Sequence, residues 1–247
     1  MIAKGFNIAV CTTSFVYTFY VICNFTYFLS NHNERQKSIY SIAFSEESLV
    51  VTTIWKLLTD TILIIVFMLQ HSIMASEVVK NIYLKLDIQE IERSLYNAAT
   101  AAVTHLLISN WSFVPWATVW SVNTHQNTSL WLIFTSIHIL GWSIIYSGCV
   151  MMDISELAGL KQVYYKISGR QKPLSMKCKE LQRLYSHMRH PSFTGFLIIL
   201  WIHPFMSVDR CLIGGLLTVY MILMWTVDQK DCDYHKAVVQ MKLLELK

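Results

Sequence analysis

The sequence predicts an all-α, polytopic membrane bundle of about six membrane segments, the last two forming a short helical hairpin. Three observations carry that expectation. Hydrophobic residues fill 54% of the 247 positions and charged residues only 15%, with a mean hydropathy of +0.41; a soluble domain carries about a quarter charged residues. The shortage is gathered into long blocks, as membrane spans require. Lys and Arg fall almost entirely between alternate blocks. No repeat, low-complexity run or separate soluble module stands out, so residues 1–247 read as one membrane domain.

The first span covers about 5–29. It reads as a signal-anchor, because its core is too long for a signal peptide and no small-residue cleavage site follows. The second covers about 49–73, the third 95–114 and the fourth 130–152. The last two, 192–206 and 211–227, are short. Fifteen helical residues reach about 23 Å, less than a hydrocarbon core of about 30 Å. Joined only by Ser207 to Arg210, these two segments make a tight hairpin. Its helices either extend into flanking sequence or dip in without crossing; both arrangements return the chain to the side it left.

Orientation follows from the cations. Sixteen of the twenty Lys and Arg lie at the N-terminus, in the loop after span two, in the basic loop 153–191 and in the tail 228–247. Arg35, Lys37 and Arg210 lie on the other side, and Lys56 lies inside span two. The positive-inside rule puts both termini in the cytosol or the nucleoplasm continuous with it. The net charge of +4 is modest, and no specific nucleic-acid binding is expected. The six cysteines form no CxxC and lie mostly in or beside spans, as buried thiols rather than a disulfide framework or zinc site. The C-terminus carries no prenylation box. Asn127-Thr-Ser is a formal glycosylation sequon close to span four.

Polar residues inside spans are costly and face protein or water. Lys56 and Asp60, four apart on one helix, are placed to pair, either as a structural pair facing the bundle or in transport. Gln70 and His71 close span two, and His105 and His138 lie in spans three and four. A single intramembrane His ordinarily hydrogen-bonds a neighbouring helix. None has an Asp, Glu or Cys at i+3 or i+4 to complete a ligand set, so no metal site is predicted.

The densest polar chemistry lies at the fifth segment, where His187, Arg189, His190 and Pro191 abut an apolar run. A guanidinium with imidazoles at a membrane boundary holds an anion, a cofactor carboxylate or lipid headgroups. Across the hairpin, Asp228, Asp231 and Asp233 follow span six. Arg189 and Asp228 therefore meet at one membrane face, as a salt bridge closing the hairpin or as two walls of a polar pocket. Beyond them Tyr234, Val238, Met241 and Leu244 recur at helical spacing among lysines, an interfacial amphipathic helix.

Longer motifs narrow the family. They are Gln70 to Ala75 (QHSIMA), Glu92 to Tyr96 (ERSLY), Gly159 to Tyr165 (GLKQVYY) and Ser186 to Pro191 (SHMRHP). Leu200, Trp201 and Pro204, then Asp209 and Arg210, and Asp228 to Asp231 (DQKD) complete the set. Together they resemble the nurim family, multi-pass proteins of the inner nuclear membrane, over nearly the whole chain. That family is similar to the isoprenylcysteine carboxyl methyltransferases and bacterial thiol S-methyltransferases, which bind S-adenosylmethionine beside the same Arg-His-Pro hairpin. The resemblance implies that Arg189, His190, Pro191 and Ser192, with Phe193 and Gly195 beyond, match the cofactor motif. Asp228 stands where those enzymes have a Glu; Trp225, Thr226 and Val227 stand where they carry a basic residue just upstream. Their downstream Phe-Gly and Tyr are absent, with Tyr234 to Ala237 in that region.

Two function classes follow. One is a non-enzymatic component of the nuclear inner membrane, with the lipid bilayer and nuclear envelope or lamina-associated proteins as partners. The other is an S-adenosylmethionine-dependent methyltransferase acting on a small thiol or a lipophilic carboxylate.

Overall fold

The computed structural model describes residues 2–31, 46–124, 126–171, 173 and 192–224. Among them the chain is almost wholly helical, as the sequence predicts. The helices are α1 (Ile2–Ser30), α2 (Glu46–Ala75), α3 (Glu77–Lys85), α4 (Glu92–Asn110), α5 (Thr128–Met151), α6 (Ile154–Leu157), α7 (Leu160–Ile167), α8 (Phe193–Trp201) and α9 (Val208–Met224). A two-stranded antiparallel ribbon, β1 (Thr118–Ser121) with β2 (Phe205–Ser207), is the one departure from an all-α chain among the described residues. Among the described residues three helices are long and apolar enough to cross a bilayer: Lys4–Ser30, Ser48–Ala75 and Thr128–Met151. They present large apolar side chains outward, among them Phe19 and Tyr27 on α1, Trp55 and Ile62 on α2, and Leu132 and Ile139 on α5.

Lipid is as apolar as leucine, so burial of apolar area drives helix association weakly in a bilayer; close packing and polar contacts do more. Both are present. Gly141 of α5 and Gly195 of α8 face each other so closely that a Cβ on Gly195 would stand 2.6 Å from the Gly141 carbonyl oxygen. Around this crossing Trp142, Ile145, Ile199 and Leu200 join Leu29, Ile64, Leu107, Trp111, Ile213 and Met221 in the main core. A smaller core of Cys11, Ile91 and Val163 ties the start of α1 to α7 and to the short 3-10 turn at Gln89–Ile91.

Two helices end earlier than their apolar runs suggest, each short of a proline. The third segment, expected over 95–114, is helical only to Asn110, and Trp111 turns extended at φ −62°, ψ 130°. The fifth, expected over 192–206, stops at Trp201. Proline disfavours helical backbone in the residue before it, and Pro115 and Pro204 follow these two ends. The expected turn at Ser207 to Arg210 is instead the last residue of β2 and the first turn of α9. The nine residues of α8 give about 14 Å, less than a bilayer core is thick, and the chain then bends at Ile202 and Pro204 before entering β2.

Extended backbone in apolar surroundings survives only where protein satisfies its polar groups. Here β1 pairs with β2 in the register Thr118↔Ser207, Trp120↔Met206 and Ser121↔Phe205. The N–H of Val122 donates to Pro204 O (2.8 Å), that of Val208 to Ala117 O (2.9 Å), and Trp120 Nε1 to His203 O (3.0 Å). Residues His203 to Ser207 are buried throughout.

At the opposite end, Asp153 (φ 64°) caps α6. Its Oδ1 accepts from Ser155 N (3.1 Å), and its Oδ2 from Lys161 Nζ of α7 (2.5 Å). Gly159, at φ 87°, joins α6 to α7, and a Cβ there would collide with the Ser94 side chain and backbone. The hydrogen bonds from Lys161 and Ser155 hold the Asp153 carboxyl down at about 2. A carboxyl titrating lower folded than unfolded contributes stability above its unfolded value and loses it as pH falls through the folded one. Thermal midpoints of the detergent-solubilised protein are therefore expected to drop between about pH 4 and 2. Asp153→Asn should remove that component of the pH profile while lowering the midpoint near neutrality.

Candidate functional site

The residues implied by the methyltransferase resemblance fall mostly outside the described residues. Arg189, His190, Pro191 and Asp228 are among those outside; Ser192 is described and stands immediately before α8 as its N-cap. Trp201 Nε1 donates to Thr218 Oγ1 (3.0 Å), and the Trp201 ring lies beside Gly214. Counting back about two turns along α8 and forward about two along α9 brings Phe193 level with Met224. The hairpin thus starts and finishes at one end of the bundle.

Polar side chains gather in two layers. The first lies at the ribbon end and is built on two fully buried carboxylates, Asp60 of α2 and Asp209 of α9. Asp209 accepts from Trp111 Nε1 (3.1 Å) and from Val114 N (3.2 Å). Asp60 Oδ1 accepts from Ser112 N (2.9 Å). The backbone N–H groups of Ser112 and Val114 lie past the end of α4 and have no helical acceptor, so carboxylates from two other helices take them. Lys56 and Asp60, expected to pair within α2, both reach this same segment. Lys56 Nζ donates to Phe113 O (2.9 Å) and lies 4.5 Å from the centre of the Trp116 ring, while Trp116 Nε1 donates to Thr53 Oγ1 (2.7 Å). Arg210 donates through Nη2 to Leu29 O (2.6 Å), binding α9 to the end of α1.

His138 belongs to the same layer and follows its sequence expectation of bonding a neighbouring helix. Trp142 Nε1 donates to Ser30 Oγ (2.8 Å), Ser30 Oγ reaches His138 Nδ1 (3.2 Å), and His138 Nε2 reaches Ile202 O (3.0 Å). A carbonyl only accepts, so His138 carries its proton on Nε2 and takes the Ser30 hydroxyl at Nδ1. This relay satisfies the carbonyl left open where α8 ends. Asn127, the formal sequon, caps α5 by accepting from Leu130 N (3.1 Å).

The second layer lies toward the opposite end and is built from the motif at the close of α2. Gln70 Nε2 donates to Thr100 Oγ1 of α4 (3.3 Å). Tyr96 OH lies 2.8 Å from His71 Nδ1, and Ser72 Oγ lies 2.9 Å from Tyr220 OH of α9. The Tyr220 ring meets His71 edge-on, and Phe67 stacks on the other side. His105 pairs with Tyr17 OH of α1 (3.2 Å).

Between the two layers is a half-open cavity of about 200 Å³ lined by α1, α2, α4 and α9. Its walls are almost entirely apolar, with Thr18, Asn97, Thr100 and Thr104 as the polar members. No cluster of His, Cys, Asp and Glu suited to a metal occurs among the described residues.

Sequence reasoning treated Asp209 as a loop residue and passed over Trp111, Ser30 and Tyr220. The rule that an ionisable group at a membrane segment needs a partner would have marked Asp209. The partners themselves carried no signal, because an indole and a backbone N–H are ordinary features of any apolar run.

No family model matches the chain, and no solved structure matches it. Named relatives do. A nurim homolog of Drosophila pseudoobscura pseudoobscura is 37% identical over 99% of this chain and 98% of its own length. Nurim of Danio rerio is 35% identical over 97% of this chain and 90% of its own, and nurim of Bos taurus 37% over 81% and 76%. Identity of this level along almost the full length, in a helical membrane chain whose distinctive motifs tie its helices together, makes this protein a member of the nurim family.

Proposed function

We propose that this protein is a non-enzymatic, multi-pass component of the inner nuclear membrane, with both termini in the cytosol or nucleoplasm. The nuclear placement follows the nurim resemblance and the orientation the distribution of Lys and Arg; the observation that carries the non-enzymatic reading is what the ionisable groups inside the bundle do. Lys56, Asp60, Asp209, Arg210 and His138 each hold one helix or loop to another. A framework braced in this way suits a protein that acts through its membrane domain and its nucleoplasmic faces. Tags at either terminus and in the 153–191 loop should be accessible from the cytosolic or nucleoplasmic side. The full chain should form a nuclear rim that resists detergent extraction. Replacing the lysines between Lys161 and Arg189 should leave that rim in place. Dispersal into the endoplasmic reticulum on that change would instead put retention in the loop, and a lumenal C-terminus would overturn the orientation.

One observation favours the methyltransferase reading: the α8–α9 hairpin begins and ends at one end of the bundle. That arrangement would let Arg189, His190, Pro191 and Ser192 on one arm face Asp228 beyond the other, around S-adenosylmethionine. Arg189 would pair with the cofactor carboxylate or with Asp228, since a buried guanidinium needs an anion. The discriminating measurement is a thermal shift of the purified protein at millimolar S-adenosylmethionine. A shift lost in both Arg189→Ala and Asp228→Ala supports the enzyme. No shift in the wild type, with lower thermal midpoints in both variants, supports a purely structural hairpin.

A further inference from the structure

The cavity between the two polar layers has a chemistry of its own. No charged side chain lines it, so a ligand carrying a formal charge would enter without a counter-ion and pay full desolvation. Its floor and sides are Phe25, Phe67, Ala101, Leu107 and Ile213. Its volume of about 200 Å³ exceeds the roughly 150 Å³ of an engineered apolar cavity that binds benzene. That is room for an alkyl segment.

Two features say what the segment should carry and where it comes from. Thr18 lines the cavity, and its Oγ1 is buried without a hydrogen-bond partner among the described residues. A buried hydroxyl left unpaired is costly and is ordinarily satisfied by protein, water or a ligand. Ile22, one turn along α1, also lines the cavity yet is 39% exposed. It sits on the outer, apolar surface of a helix long enough to cross the membrane. The cavity therefore borders the bilayer, and its polar corner faces inward.

We propose that this cavity binds a neutral single-chain lipid from the surrounding bilayer, a long-chain alcohol or its ester. The alkyl chain lies against Phe25, Ala101 and Ile213, and the hydroxyl or carbonyl oxygen hydrogen-bonds Thr18 after its side chain turns the covered Oγ1 toward the cavity. The chain fills space that the four helices leave open, so the bound lipid is part of the packing of α1 against α4. This binding is independent of S-adenosylmethionine and of residues 189–192.

The probe is a hexadecanol carrying a diazirine on its chain, cross-linked by light to the full-length protein in detergent. Labelled residues are expected among Val21 and Phe25 of α1 and Ala101 and Leu107 of α4, and dodecanol should compete at least ten times better than dodecylammonium or dodecyl phosphate. Ala101→Phe, which grows into the void, should reduce labelling tenfold or more without lowering the thermal midpoint. Thr18→Val should keep the cavity and weaken dodecanol competition several-fold. If Ala101→Phe does not fold, Ala101→Leu serves the same purpose with a smaller side chain. Labelling confined to outward-facing positions such as Phe19 and Tyr20, or unchanged by the Ala101 variants, would overturn the proposal. Equal competition by the charged amphiphiles would overturn it too.

Discussion

Asp209→Ala is expected to destabilise the protein more than any other single change considered, by about 2–6 kcal/mol. The estimate takes about 1–3 kcal/mol for each buried donor left unpaired, and two donors lose their acceptor: Trp111 Nε1 and Val114 N. Against a typical total of about 5–15 kcal/mol, most of the thermal midpoint is at stake. The damage spreads because the 111–116 segment is also held by Asp60 and Lys56 and leads directly into β1. Trp111→Phe supplies the comparison, since it orphans no donor but leaves the buried Asp209 Oδ2 without its partner; its cost should be about 1–3 kcal/mol. In the Asp209→Ala background the same Trp111 change should cost less than it does alone, because its partner is already gone. Thermal unfolding followed by size-exclusion chromatography in detergent measures all three. Additive losses would mean that the indole and the carboxylate do not depend on one another.

Gly195→Ala should be the most damaging substitution of a glycine in the membrane helices. Its new Cβ would stand 2.6 Å from Gly141 O and 2.7 Å from Ile145 Cγ1. A carbonyl oxygen in a helix cannot swing aside, so α8 must move off α5, at about 1–3 kcal/mol for overpacking. Gly141→Ala meets Ile199 Cγ1 first, at 2.8 Å, with Gly195 O at 3.2 Å; a side chain yields more readily, and the loss should be smaller. Gly215→Ala is the internal control, since nothing lies within 4 Å of its added Cβ and alanine favours the helix. The expected order of thermal midpoints is Gly215→Ala at or above wild type, then Gly141→Ala, then Gly195→Ala. Gly195 is three residues from Ser192, so moving α8 also moves the start of the hairpin. If S-adenosylmethionine binds there, Gly195→Ala should weaken it while Gly215→Ala leaves it intact.

The short fifth segment shows how far apolar length alone carries. Fifteen apolar residues were too few for a helix to cross a bilayer, which left two arrangements open. In the structure α8 ends at Trp201, and the chain bends into β2, which pairs with β1. Pro204 and Pro115 were visible as helix breakers. That the two broken ends pair with each other was not, since 83 residues separate Trp120 from His203, whose carbonyl oxygen it binds. Lys56 and Asp60 teach the same lesson. Their i, i+4 spacing proposed a pair within one helix; the two charges do act on each other, and both side chains also reach across to the segment after α4.

The sequence by itself determined the membrane class, the helical secondary structure and the family. Each of these is written in local quantities: block hydropathy, helical run length and short motifs. Tertiary structure decided which polar groups meet. It brought Asp209 to the broken end of α4, His138 to the open carbonyl of Ile202, and the Gln70–His71–Ser72 run to Thr100, Tyr96 and Tyr220. The physical reason is that a membrane interior offers no water to satisfy a stray donor or acceptor. Every break in a helix must find its partner on another segment, and where that segment lies depends on how the helices pack.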